Sequence, residues 1–116
     1  MSSNRLEITE NGEVTVVRFL DRKILDAGNI QEIGEVLFAL VENENRTQIL
    51  LNFAQVEFLS SAALNKLIIL DKKLKDHNGN LVLTNLRPEI YEVFVITRLN
   101  KVFKILDDEL AGLNVF

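Results

Sequence analysis

Two apolar runs constrain this chain more than any other feature: QILLNFA from Gln48 and NLVLTNL from Asn80. A strand with one wet face alternates apolar and polar residues, because successive side chains point to opposite faces. These runs do not alternate, so both read as strands covered on two sides. Segments with helical spacing lie before the first run and between the two. Strands joined by helical crossovers pair in parallel, with the helices packed on the sheet.

The remaining elements fit around these strands. Leu6 and Ile8 alternate with polar residues, Asn11-Gly12 supplies a turn, and VTVVRFL follows from Val14, which predicts a hairpin. Ile24 and Leu25 read as one short strand. A helix is expected from about Ala27 to Glu42, with Ile30, Ile33, Leu37 and Leu40 on its buried face. Asp26 is placed to cap it by accepting from the free amides of the first turn. A second helix should start near VEFLSSAALNKL and run to about His77, burying Ala63, Leu67, Leu70 and Leu74, with Lys72, Lys73 and Lys75 complementing the dipole of its last turns. Asn78-Gly79 ends it. Pro88 opens a third helix that carries Ile90, Val93 and Phe94. KVFKI from Lys101 reads as a final strand, and DDELAGL from Asp107 as a last short helix. The fold class is α/β: a mixed sheet with helices packed mainly on one side, in a single domain spanning 1–116.

Composition narrows the function. The chain has 116 residues, no cysteine, one histidine and a formal charge of −4. Disulfides, thiolate chemistry and iron–sulfur clusters are excluded. A mildly acidic chain without a Lys/Arg cluster suits neither nucleic acid nor an anionic membrane surface. The N-terminal MSSNRLEITENG holds no apolar signal core, and no run approaches the roughly 18 residues of a membrane helix. A cytoplasmic protein is expected. His77 has no second histidine for a metal cage or a nucleophile–base relay, and reads as a solvated helix end. The five glycines form neither GxGxxG nor a Walker loop. Glu42 and Glu44 read as solvated, and Lys72 and Lys73 as a wet helix face. A receiver domain needs a phosphoacceptor Asp at the end of a buried strand; QILLNFA ends on Asn52, Phe53 and Ala54.

What remains is the pair Ser60-Ser61. Serine is a favoured N-cap. No capping-box glutamate follows, since Ala63 and Leu64 occupy the third positions. One serine would suffice for the cap, and two are present. A hydroxyl at a helix start is also a good phosphate site, because free amides and the positive dipole end favour the dianion. The two readings are compatible.

Several segments resemble the STAS domain (sulfate transporter and anti-sigma factor antagonist), in particular stand-alone bacterial anti-anti-sigma factors. ILDAGNIQEI is similar to that family's Gly-Glu-Leu-Asp strand-to-helix segment. LLNFAQVEFLSSAALNKL is similar to its strand, loop and Asp-Ser-Ser/Thr-Gly-Leu helix start. GNLVLTNLRPEIYEVFVITRLNKVFKI is similar to its closing strand, helix and strand. In such proteins an anti-sigma factor with serine kinase activity phosphorylates a serine at the start of the second helix. The resemblance implies that Ser61 is the phosphoacceptor. Ser60 stands where the family usually has Asp, Asn52 also stands at an Asp position, and Asp26 matches the aspartate at the first helix start. Asp26, Ser60 and Asn52 are therefore expected to bind or support the partner. Ala63 replaces the motif glycine.

The implied function is a phosphorylation-controlled protein switch that binds the kinase when unphosphorylated and so frees a sigma factor. ATP and magnesium would belong to the partner, and a phosphatase would be a further partner. The chain itself would need no cofactor and perform no catalysis. Two rival readings are a scaffold or regulatory subunit of a larger sensory or transporter complex, and a small-molecule or nucleotide-binding domain.

Overall fold

A hairpin opens the computed structural model, which describes residues 5–116. Residues 1–4, the start of the stretch read above as lacking a signal core, lie outside the described residues. β1 (Leu6–Asn11) and β2 (Val14–Phe19) pair antiparallel. Gly12 turns the chain at φ 62°, a left-handed conformation that costs glycine little.

The chain then alternates. β3 (Lys23–Ile24) leads to α1 (Ala27–Glu42), and β4 (Gln48–Asn52) leads through β5 (Phe58–Leu59) to α2 (Ser61–Asp76). β6 (Asn80–Thr84), α3 (Pro88–Ile96), a 3₁₀ turn at Leu99–Lys101, β7 (Lys104–Leu106) and α4 (Glu109–Leu113) complete it. The main sheet has the order β1-β2-β4-β6-β7, and every pairing in it after the hairpin is parallel. β4 and β6 lie inside the sheet, and Ile49, Leu50, Leu51 and Leu83 are wholly buried, which is why their runs do not alternate.

Most of the core lies between one sheet face and α1, α2 and α3. Leu37 of α1, Leu70 and Leu74 of α2 and Phe94 of α3 are fully buried there. Each such side chain contributes about 1.5–3 kcal/mol of apolar burial. Phe94 meets Phe103 edge to face, with ring centroids 5.8 Å apart. The other face is covered in part by α4, whose Leu113 packs on Val14, Val16 and Leu50. A Cβ on Gly112 would lie 2.6 Å from Thr84 Cγ2 and 2.8 Å from Leu50 Cδ1, so only glycine lets α4 approach the sheet this closely. The result is a mixed α/β architecture with its helices mainly on one side, as expected.

Three local expectations need correction. The short strand is Lys23–Ile24; Leu25 lies beyond it, unpaired and half-exposed. Its partner β5 was not foreseen as a strand. The final strand starts at Lys104, three residues later than KVFKI suggested, because the segment before it winds into the 3₁₀ turn. Lys73 is also no free wet residue: its ammonium meets Glu42 Oε2 at 2.8 Å and ties α2 to the end of α1.

Candidate functional site

Two short strands outside the main sheet build the site. β3 and β5 pair in parallel, Lys23 beside Phe58 and Ile24 beside Leu59. The amides of Glu57 and Phe58 both donate to the Arg22 carbonyl, at 2.7 and 3.1 Å, and the Ser60 amide donates to the Ile24 carbonyl at 3.1 Å. Each strand then runs into a helix start. The parallel pairing therefore sets the N-termini of α1 and α2 side by side.

Both helix starts are capped by the residue expected. Asp26 Oδ2 accepts from the Asn29 amide at 3.0 Å. Ser60 Oγ accepts from the Ala63 amide at 3.2 Å, with Ser60 in an extended conformation as a cap requires. Ser61 is the first helical residue of α2. It is exposed, and its hydroxyl has no hydrogen-bond partner among the described residues. No acid sits in the first turn of α2, so no side chain there offsets the positive end of the dipole. The two serines thus divide the work: one oxygen closes the helix and the other is free.

The surroundings are apolar and exposed. Leu25 is 51% and Phe58 50% accessible. Ala27 and Ala62, beside the two caps, are exposed as well. Lys23 Nζ sits 5.6 Å from the Phe58 ring centroid. Behind this rim the Arg22 guanidinium makes two bonds to Glu57, at 2.8 and 3.0 Å, and this hydrogen bonding holds the Glu57 carboxyl below its ordinary pKa. An open groove of about 380 Å³ continues from Phe58 and Leu59 to Arg87, Ile90 and Val93 of the α3 region. Underneath, Ile24 and Ala63 belong to the main core, so the rim stands on a packed base.

Asn52 is not brought to this rim. It ends β4 and is buried on the α4 side of the sheet. Its amide donates to Glu109 Oε2 at 2.6 Å, and its Oδ1 accepts from the Ala54 amide at 2.8 Å. Arg18 grips the same Glu109 through Nε at 2.6 Å and a second nitrogen at 2.8 Å. Its hydrogen bonding lowers the Glu109 pKa against a smaller opposing effect of burial. This network was not read from the sequence. Its members are 18, 52 and 109, and no local pattern links them.

His77 caps the C-terminus of α2, with Nδ1 2.8 Å from the Lys73 carbonyl. Among the described residues no three His, Cys, Asp or Glu side chains form a cluster able to hold a metal ion. No helix among them is long and apolar enough to cross a membrane.

Comparison with known proteins identifies the family. The STAS domain profile matches residues 5–111, and the chain belongs to that family. BtrV of Bordetella bronchiseptica, named as an anti-sigma factor antagonist, is 27% identical over 93 residues, which cover 80% of this chain and 79% of BtrV. Among solved structures, an anti-sigma factor antagonist of Thermotoga maritima superposes with a TM-score of 0.85 at 19% identity, over 96% of this chain and 93% of that one. Phosphorylated SpoIIAA of Bacillus superposes with a TM-score of 0.73 at 20% identity, over 96% and 99% of the two chains.

Proposed function

We propose that this STAS domain is an anti-sigma factor antagonist switched by phosphorylation of Ser61. The observation that carries the reading is the division between the serines. Ser60 holds the cap, so Ser61 can be modified without unmaking the helix start. The amides and dipole end of α2 favour a phosphate dianion there. BtrV is named an anti-sigma factor antagonist, as is SpoIIAA in its unphosphorylated structure, and both names support the antagonist role.

In the unmodified state the partner would be an anti-sigma factor with serine kinase activity, seated on Leu25, Phe58 and the two helix starts. Its capture would free a sigma factor. ATP and magnesium would be the partner's, a phosphatase would reset the switch, and the cycle would run in the cytoplasm. The domain acts by binding, without catalysis of its own. A phosphate brings about −1.5 to −2 charges onto this apolar rim. Desolvating it without a matched cation is costly, so the complex would come apart.

The test is incubation with the cognate kinase and ATP, followed by mapping of the phosphate. One phosphate on Ser61 is expected. A phosphate on Ser60 alone, or none at this helix start, sinks the reading.

A further inference from the structure

The exposed apolar surface falls into two groups. Of ten large apolar side chains left exposed among the described residues, Leu20, Leu25 and Phe58 lie in or near the β3–β5 region. The other seven all follow residue 90. Ile96 and Leu110 are the most open, at 72% and 70%. Such a concentration is unusual for a surface that only meets water.

Three of the seven, Tyr91, Val102 and Val115, line grooves beside β7, the edge strand of the sheet. On one side a groove of about 370 Å³ is lined by Tyr91, Ile105 and Asp107; on the other, a groove of about 190 Å³ is lined by Val102, Lys104 and Val115. Charge is sorted along the same edge. Residues 95–104 carry Arg98, Lys101 and Lys104 and no acid, while residues 105–110 carry Asp107, Asp108 and Glu109 and no cation. The cations lead into β7 and the acids follow it, so they stand at its opposite ends. Arg98, Lys101, Lys104 and Asp107 have no ion-pair partner among the described residues.

We infer that the β7 edge is a docking surface for a second copy of this chain, related by a two-fold axis. A two-fold across the strand reverses its direction. The basic end of one copy then faces the acidic end of the other, twice, with the apolar side chains between them. Three residues with a leading lysine make too short and too blunt an edge for strand-to-strand bonding to hold a dimer. The contact is therefore assigned to the side chains of α3, the 3₁₀ turn and α4. The inference does not depend on phosphorylation of Ser61.

Sedimentation velocity over a concentration series, at low and high salt, tests it. Wild type should show a monomer–dimer equilibrium that salt weakens. Arg98→Glu with Lys101→Glu, and separately Asp107→Lys, should each weaken self-association by about tenfold or more, because both contacts become repulsive. An equimolar mixture of the two variants should dimerise again, since the first then offers acids at positions 98 and 101 and the second a cation at position 107, so both contacts again join opposite charges. Ile96→Ser should weaken the dimer without changing the melting temperature. A wild type that stays monomeric overturns the inference, as does a dimer indifferent to the reversals, or a mixture that fails to recover. Wild type that remains monomeric but sediments with phosphatidylserine vesicles would assign the basic end to lipid instead.

Discussion

Asp26 and Ser61 stand at equivalent places: each lies two residues beyond one member of the registered pair Ile24–Leu59. Because that pair is parallel, the two residues leave it in the same direction. One then caps a helix and the other begins one. A carboxylate and a free hydroxyl are thereby presented at neighbouring helix starts.

Ser60→Ala and Ser61→Ala should differ in stability. Loss of the Ser60 cap should cost about 1 kcal/mol. Ser61→Ala removes an exposed hydroxyl without a partner and should stay within about 0.5 kcal/mol of wild type. Urea denaturation of both variants checks this; equal losses would mean that the caps are shared.

Asp26→Ala should also lower stability by about 1 kcal/mol, through the bond to the Asn29 amide. If Asp26 contacts the partner, the affinity for the anti-sigma factor should fall by more than the melting shift implies. Asp26→Asn keeps an acceptor and should recover stability better than binding. Titration calorimetry beside thermal melts separates the two roles, and a melting shift with unchanged binding would leave Asp26 as a cap only.

Phosphorylation should leave the fold intact and act at the interface. The circular dichroism of the phosphoprotein should overlay that of the unmodified protein. Partner affinity should drop by a few kcal/mol, at about 1.4 kcal/mol per tenfold. Ser61→Asp should imitate this in part, with less charge and shorter reach, and Ser61→Ala should remain bound. Unfolding on phosphorylation, or Asp and Ala variants that bind equally well, would refute the mechanism.

Glu109 makes the docking of α4 sensitive to acid. Its folded pKa is depressed, chiefly by the hydrogen bonds from Arg18. A depressed carboxylate contributes stability above its unfolded pKa, and that contribution disappears as pH falls through the folded value. Hydrogen-exchange protection of α4, taken relative to the intrinsic rate at each pH, should therefore fall on acidification below the ordinary glutamate range, ahead of that of β4 and β6. Glu109→Ala should abolish this step and cost on the order of 1 kcal/mol, a figure reduced by the partial exposure of Arg18. Uniform exchange across the domain would contradict a separately released α4.

Local chemistry made much of this protein readable without a structure. The bounds of α1 agree with the expected ones because a 3.6-residue apolar stripe and the Asp26 cap are properties of a few neighbouring residues. Ser60 as the cap of α2 and Pro88 at the start of α3 are legible for the same reason. The buried strands β4 and β6 declared themselves by not alternating. Pairings between distant segments are another matter. β3 and β5 are two residues each and exist only through each other, so neither leaves a periodic trace. The exposure of Leu25 and Phe58 follows from that pairing; alone, each is simply an apolar residue near a helix start. Asn52 shares its face with Leu50, two residues earlier, but what it meets there was decided by Glu109, 57 residues away, whose arrival with α4 depends on the close approach at Gly112. Caps and periodicities are short-range and survive in the sequence; registers, faces and solvent exposure are long-range, and only the folded packing settles them.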